Sequence, residues 1–169
     1  ASALMQGLAD GYFVLPYTIG NYLSKDIRTG PISTDSVEFE EAEAKVKSEI
    51  DHFINNKGTK PVDYFHKRLG KIMWNKCGMA RNETELKEAI EEISALRDEF
   101  YKDVRVPGAA NEFNEELAKA GRVADFLELG ELFAKDALVR EESAGGHFRE
   151  EYQTAEGEAQ RRKEFQFVS

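Results

Sequence analysis

Few residues of this sequence have the types and spacing needed for catalysis or metal binding. Its three histidines, His52, His66 and His147, are far apart and show none of the short spacings typical of metal ligands. We therefore predict structural or exposed roles for them and no metal site. Cys77 is the single cysteine, so an internal disulfide is impossible, and we expect a small buried side chain in a reducing compartment.

His147 is the most site-like of these residues. It follows Gly145 and Gly146 at the expected end of a helix, and Arg149 lies two residues further on. Catalysis stays open for such a loop histidine. We predict that it caps the helix and fixes the turn, which is the commoner role.

The remaining patterns are typical of solvated surfaces and packed cores. Neighbouring carboxylates such as Glu40 and Glu41, or Glu91 and Glu92, lie opposite apolar stripes, which predicts exposed helix faces rather than catalytic pairs. Trp74 and the other aromatics at helical spacing are predicted to lie in the core. The sequence has neither a Gly-x-x-x-x-Gly-Lys phosphate loop nor a Gly-x-Gly-x-x-Gly pattern.

The charge balance excludes two classes of partner. The 169 residues include 23 lysines and arginines and 32 aspartates and glutamates, which gives a net charge of −9. Nucleic acids and anionic membrane surfaces both recruit basic proteins, so neither is expected to bind. No apolar run approaches the roughly 20 residues of a membrane span, and the first residues lack the basic cluster of a signal peptide. We expect no direct membrane insertion.

Hydrophobic periodicity predicts two helices in the first third of the chain. The first covers residues 2–23, with Ser2 as a candidate N-cap and Pro16 as the point where it kinks or ends. It is apolar on most sides, which is typical of a helix buried in a larger body. Residues 24–35 form a polar linker, and an amphipathic helix follows over residues 36–55. Its apolar face comprises Phe39, Ala42, Val46, Ile50 and Phe53.

Three more helices with short connections predict an antiparallel bundle. The first begins at Pro61, and the second begins at a capping box formed by Asn82 and Glu85. The third and longest runs from Asn111 to about Glu142. The expected core positions are Val62, Phe65, Leu69, Ile72 and Met73, then Leu86, Ile90, Ile93, Leu96 and Phe100, then Phe113, Leu117, Ala120, Ala124, Leu127, Phe133 and Ala137.

Residues 143–169 differ from the helices before them. A Gly-rich turn leads into a charged segment, and Phe165 and Phe167 then alternate with polar residues as at the start of a strand. The predicted fold class is therefore mainly α. We expect an antiparallel three-helix bundle, preceded by one or two helices and followed by an irregular C-terminal tail with a short strand. The apolar first helix and the incomplete strand both favour a piece of a longer protein.

Three segments resemble the flavoprotein subunit of succinate dehydrogenase and fumarate reductase. Residues 7–20 are the first. Residues 73–81 resemble the family's Met-Trp-x-x-x-Gly-x-x-Arg segment, and residues 142–149 resemble its Glu-Ser-Arg-Gly-Ala-His-x-Arg segment, with Ala144 in place of the arginine. All three occur in the family's order, and the chain is most similar to the longer bacterial subtype.

The resemblance implies a C-terminal fragment with four parts. Residues 1–23 would be the last helix of the FAD-binding domain, and residues 24–60 a linker plus an amphipathic helix. Residues 61–142 would be the helical-bundle C-terminal domain, and residues 143–169 the Gly-rich turn, charged tail and start of a strand. In the family, the residues that bind the dicarboxylate substrate lie upstream of residue 1. No catalytic residue is therefore expected here, and the fragment alone should be inactive.

One cofactor contact carries over from the family. Its Ser-x-Ser-Leu pattern aligns with residues 1–4, which implies that Ser2, Ala3 and Leu4 contact the isoalloxazine of FAD through the first-turn N–H groups of a helix. FAD would belong to the parent subunit, and none is expected to stay bound to the fragment by itself.

The implied parent interconverts succinate and fumarate through FAD and passes electrons to an iron–sulfur subunit. With a membrane anchor, it would lie in the cytoplasm, peripheral on the inner face of the bacterial membrane. The fragment would then be structural and interface-forming. Two alternatives stay open: the C-terminal region of an L-aspartate oxidase-type flavoprotein, which needs no iron–sulfur partner, and a stand-alone helical interaction module.

Overall fold

A computed structural model describes residues 2–26 and 29–162. The chain divides into two compact units, Ala1–Glu43 and Ala44–Ser169. Its described residues are mainly helical and include one two-stranded parallel sheet, so the predicted fold class is confirmed. The strand predicted around Phe165 and Phe167 lies outside the described residues. No helix in the described ranges is both long enough and apolar enough to cross a membrane.

The first unit contains one long helical stretch. It consists of α1 (Ser2–Ala9), a π-helical segment (Asp10–Val14) and α2 (Leu15–Tyr22). Pro16 cannot donate a backbone hydrogen bond, and its ring crowds the carbonyl four residues earlier. A wider π-helical turn relieves that conflict, so Pro16 widens the helix without ending it. Most of its large apolar side chains are exposed, including Leu4, Tyr12 and Tyr22.

The next helix, α3 (Val37–Asn55), matches the range predicted for it. Its apolar face is largely unburied: Phe53 is buried, whereas Phe39 and Val46 are exposed. The periodicity identified the helix correctly, but burial also requires a partner surface, which periodicity does not reveal.

The second unit is built around an antiparallel three-helix bundle of α4 (Val62–Lys76), α5 (Glu83–Asp103) and α6 (Glu115–Val139). Lys76 pairs with Glu88 near one end of the first two helices, and Arg68 pairs with Glu99 near the other, so α4 and α5 run in opposite directions. The core is apolar and nearly matches the predicted stripes. It comprises Phe53, Val62, Phe65, Leu69, Ile72, Cys77, Leu86, Ala89, Ile93, Leu96, Phe100, Val104, Val106, Ala120, Val123, Leu127, Ala134 and Ala137.

A short parallel pair of strands joins the two loops at one end of the bundle. Strand β1 (Lys60–Pro61) pairs with β2 (Val104–Arg105). The Thr59 backbone N–H donates to Asp103 Oδ1 at 2.7 Å. At Gly58 a Cβ would lie 2.3 Å from the Asp103 carbonyl, so only glycine permits this approach. No pattern in the sequence predicted this sheet.

Three predictions about the bundle are wrong in detail: the start of its longest helix, and the core positions of Trp74 and of Phe133, which is 45 % exposed. The longest helix begins at Glu115, not Asn111, because the Asn114 side chain accepts the Leu117 N–H at 3.0 Å and caps the helix. Phe113 therefore precedes the helix and is exposed. Trp74 is 84 % exposed on α4 and is not a core residue, because it lies on the face opposite the buried stripe.

Candidate functional site

The predicted flavin contacts lie at the start of α1. Ser2 is both the first described residue and the first residue of α1, so its predicted role as N-cap stays a prediction. Ser2, Ala3 and Leu4 are exposed. The first-turn amides of a helix have no partner within the helix, so these three residues present N–H donors with a positive partial charge. That arrangement fits the acceptor atoms at the pyrimidine end of an isoalloxazine.

The other two family segments meet in the second unit at a cluster that we call the motif junction: Arg81, Ser143, His147 and Arg149. The segment of residues 73–81 ends α4 at a tight turn, where a Cβ on Gly78 would lie 2.7 Å from the Trp74 carbonyl. That contact explains the glycine of the segment. The turn directs the chain back toward α5, whose first turn is capped by Asn82 as predicted.

Arg81 connects the two segments. Its Nε donates to the carbonyls of Cys77 and Gly78, at 3.2 and 3.1 Å, and its Nη1 lies 2.9 Å from His147 Nδ1. Its backbone N–H donates to the Phe148 carbonyl at 3.0 Å, and its carbonyl accepts the Glu150 N–H at 2.8 Å. Arg81 and Arg149, 68 positions apart in the sequence, thus form a short parallel bridge.

His147 is buried, and its neighbours fix its tautomer. Nε2 lies 2.9 Å from the Arg140 carbonyl, which can only accept, so Nε2 carries the proton. Nδ1 is then the acceptor for Arg81. Burial lowers the pKa of His147, and the nearby guanidinium groups of Arg81, Arg140 and Arg149 lower it further. Both ring nitrogens are engaged, which supports the predicted structural role.

The Gly-rich turn is a tight loop that closes on itself. Ala144 and His147 exchange backbone hydrogen bonds at 2.8 and 3.1 Å, and Gly145 adopts a φ of +58° between them. Ser143 is fully buried, and its Oγ accepts the Arg149 N–H at 2.8 Å. These bonds hold the loop in a single geometry without any ligand.

Arg149 anchors the loop to the bundle. It is 2 % exposed, and its Nη1 donates to the Ala137 and Leu138 carbonyls, at 2.9 and 3.0 Å. These carbonyls lie in the last turn of α6, where helical acceptors have no partner and the helix dipole is negative. The sequence placed Arg149 in a motif but did not predict this role, because its partners are backbone atoms.

The motif junction is therefore a structural clamp made of satisfied polar groups. No cluster of residues that could hold a metal ion occurs among the residues described. His52 lies 3.0 Å from the Tyr101 carbonyl, and the His66 ring lies 5.8 Å from Phe126, so each has a local role. Cys77 is buried as predicted, and burial raises its thiol pKa, which makes it a poor nucleophile at neutral pH.

The family model described as "Fumarate reductase flavoprotein C-term" matches residues 66–168, which is more than half of the chain and includes the whole motif junction. The chain belongs to this family. This membership confirms the family that the motifs indicated.

Individual relatives agree with the family. The fumarate reductase flavoprotein subunit of Helicobacter pylori strain J99 is 30 % identical over 137 residues, which cover 79 % of this chain and 19 % of the relative. The succinate dehydrogenase flavoprotein subunit of Rickettsia bellii is 29 % identical over 122 residues, covering 72 % and 20 %.

A solved structure has the same fold. The Sdh1 complex of Mycobacterium smegmatis in its apo form contains a chain with a TM-score of 0.61 and 29 % identity, covering 75 % of this chain and 21 % of that one. The chain thus spans about a fifth of the length of the curated relatives that it matches.

Proposed function

We propose that this chain is the C-terminal part of an FAD-dependent flavoprotein subunit that interconverts succinate and fumarate. The observation that carries the proposal is the match of residues 66–168 to the family, with both family segments joined at the motif junction. Relatives named as fumarate reductase and succinate dehydrogenase flavoprotein subunits support the reaction. The substrate would bind in the part of the subunit that the chain does not span.

Within that subunit the bundle would brace the FAD domain. The motif junction ties the α4–α5 turn, the end of α6 and the C-terminal segment together, which supports a rigid structural role. An iron–sulfur subunit would accept the electrons, and a membrane anchor would hold the complex at the inner face of the bacterial membrane. The relative from M. smegmatis, solved as a complex, supports the presence of partner subunits.

Ser2, Ala3 and Leu4 would hold one edge of FAD. When bound, FAD supplies the hydride-accepting centre of the reaction. The first-turn N–H groups of these residues would donate to the flavin's pyrimidine acceptors, and the positive end of the helix would favour the negative charge of the reduced ring. The exposure of all three residues supports this contact.

The activity is tested on the natural full-length subunit that carries this chain. We expect it to purify with FAD and to reduce an artificial dye when succinate is added. A flavin-loaded subunit that turns over neither succinate nor fumarate would overturn the proposed reaction. Co-purification of a protein with iron–sulfur clusters tests the partner, since an L-aspartate oxidase-type enzyme would lack it.

The flavin contact is tested separately by placing a negative charge at the start of α1. In the full-length subunit, Ala3→Asp should lower the midpoint potential of FAD, because a carboxylate there opposes the charge of reduced flavin. Ala3→Asn has nearly the same shape without the charge and is the matched control. Equal potentials in the two variants would remove Ala3 from the site and leave the proposed reaction intact.

A further inference from the structure

The C-terminal segment, residues 142–162, is attached to the bundle mainly by polar contacts. Its four buried side chains are all polar: Glu142, Ser143, His147 and Arg149. The apolar core and the hydrophobic side chains packed against it end with α6 at Leu138 and include no residue of this segment. Apolar burial therefore stabilises the bundle and contributes little to the attachment of the segment. Such a segment can open locally while the bundle stays folded.

The ring of His147 joins the segment to two separate elements. Backbone hydrogen bonds connect Arg81 with Phe148 and Glu150, and Arg149 donates to two carbonyls in the last turn of α6. His147 contacts both places, through Arg81 on the α4–α5 turn and through a carbonyl at the end of α6. Histidine is the side chain among these contacts whose ordinary pKa lies between pH 5 and 8. The attachment of the segment thus includes a group that titrates in mildly acidic solution.

Cations surround His147 and oppose its protonation. Arg81 faces the ring from the α4–α5 turn, Arg140 from the end of α6, and Arg149 from the segment itself. A proton on Nδ1 would remove the hydrogen bond from Arg81 and leave two cations about 2.9 Å apart. Burial lowers the pKa of His147, and these guanidinium groups lower it further. The closed junction therefore requires a neutral ring.

Two carboxylates lie near His147 without offsetting these cations. Glu142, in the segment, already pairs with Arg140 at 2.7 Å and accepts the Arg162 N–H at 3.0 Å. The Arg162 bond is the main reason why the pKa of Glu142 lies below its ordinary value of 4.5, so this carboxylate keeps its charge in mildly acidic solution. Asp136, on α6, lines a surface hollow beside His147 and is exposed, so solvent and salt screen its charge.

We propose that the motif junction is an acid-sensitive switch, in which protonation of His147 releases residues 142–162 from the end of the bundle while the apolar core stays intact. In the open form the ring reaches solvent and takes up a proton at Nδ1. The ordinary pKa of 6.5 then applies, whereas the pKa in the closed form is lower. Opening therefore becomes more favourable as the pH falls through 6.5, and the effect levels off below the pKa of the closed form. This inference does not depend on the reaction of the parent subunit.

Amide hydrogen exchange of the 169-residue chain at pH 7.5 and pH 5.5 measures the opening. Each rate is divided by the intrinsic exchange rate at that pH, and a series at low urea concentrations separates local from global opening. We expect the opening constant of residues 143–150 to rise about three- to tenfold at pH 5.5. This opening should barely respond to urea, since it exposes little surface, whereas exchange in the α5 core should respond strongly.

Two histidine variants test the assignment to His147. His147→Gln cannot titrate, so the corrected exchange of residues 143–150 should no longer depend on pH. His66→Gln, whose ring lies beside Phe126 and outside the motif junction, is the matched control and should keep the full pH dependence. Circular dichroism verifies the folding of both variants. If His147→Gln fails to fold, the exchange of the unaltered chain with and without urea still decides, together with an NMR titration of the His147 ring.

Four results would overturn the proposal. The first is an opening constant of residues 143–150 that is the same at both pH values. The second is a urea dependence of these residues equal to that of the α5 core, because the segment would then open only when the whole chain unfolds. The third is an undiminished pH dependence in His147→Gln. The fourth is a ring titration that places the pKa of His147 at or above 6.5 in the folded chain.

Discussion

His147 can gain a proton only at the nitrogen that faces Arg81. Nε2 already donates to the Arg140 carbonyl, so protonation of Nδ1 would replace a hydrogen bond by the repulsion of two cations. Burial lowers the pKa of His147 below its ordinary value of 6.5. The folded chain therefore binds fewer protons at this residue than the unfolded chain does in mildly acidic solution.

The stability of the chain should therefore fall as the pH drops below 6.5, and the effect should level off below the folded-state pKa of His147. His147→Gln, which cannot titrate, should flatten this slope while lowering stability at pH 8. Urea unfolding followed by circular dichroism between pH 8 and pH 5 measures both effects. His66→Gln, at an exposed ring, is the matched control, and an equal flattening in that variant would contradict the assignment to His147.

Glu131 is a buried carboxylate whose loss should be costly. It is 7 % exposed on α6 and pairs with Arg97 and with Lys135, and the Lys135 hydrogen bond is the main reason why its pKa is lowered. Glu131→Gln should destabilise the fold by roughly 1–3 kcal/mol, toward the low end because both cations can turn to solvent. Urea unfolding measures the loss. Glu83→Gln, which breaks an exposed pair with Lys87, should change stability by less than about 0.5 kcal/mol.

At the level of the elements, two glycines should respond oppositely to the same methyl group. Gly70→Ala should stabilise α4 by about 0.5–1 kcal/mol, because the new Cβ meets nothing and alanine is the better helix former. Gly58→Ala should destabilise the fold, because its Cβ would lie 2.3 Å from the Asp103 carbonyl and separate β1 from β2. Thermal unfolding of both variants measures this. A destabilised Gly70→Ala would contradict the open space around Gly70.

The elements that could be predicted are those specified by neighbours in the sequence. The stripe of α4 and the Asn82 cap of α5 depend on residues three or four positions apart, and both occur where expected. The pairing of β1 with β2 joins two-residue strands 44 positions apart, so no periodicity reveals it. The start of α6 could not be predicted, because Asn111 and Asn114 are equally good caps in isolation. Asn114 is selected by a second bond, from its Nδ2 to the Pro107 carbonyl.

At the scale of the whole molecule, the candidate site could be predicted only as separate segments. Residues 73–81 and 142–149 resemble family segments, but their contact depends on how α5 and α6 fold back along the bundle and bring both segments to the same end. Arg81 and His147 meet only because α4 and α6 run in the same direction, with His66 beside Phe126 and Arg81 over the Phe133 ring. The roles of Ser143 and Arg149 depend on backbone partners, which side-chain patterns do not indicate.

The contacts of the motif junction predict that Arg149 holds the C-terminal segment on the bundle. Arg149→Met keeps much of the side-chain volume but leaves the Ala137 and Leu138 carbonyls without their donor, so it should cost about 2–4 kcal/mol. Arg149→Lys keeps the charge without the planar fork and should cost less. Hydrogen exchange should increase most in residues 142–160, which the clamp holds, and less in the α5 core. Arg105→Met, at an exposed arginine, is the control. If hydrogen exchange increased equally along the whole chain, Arg149 would support the entire fold rather than the motif junction alone.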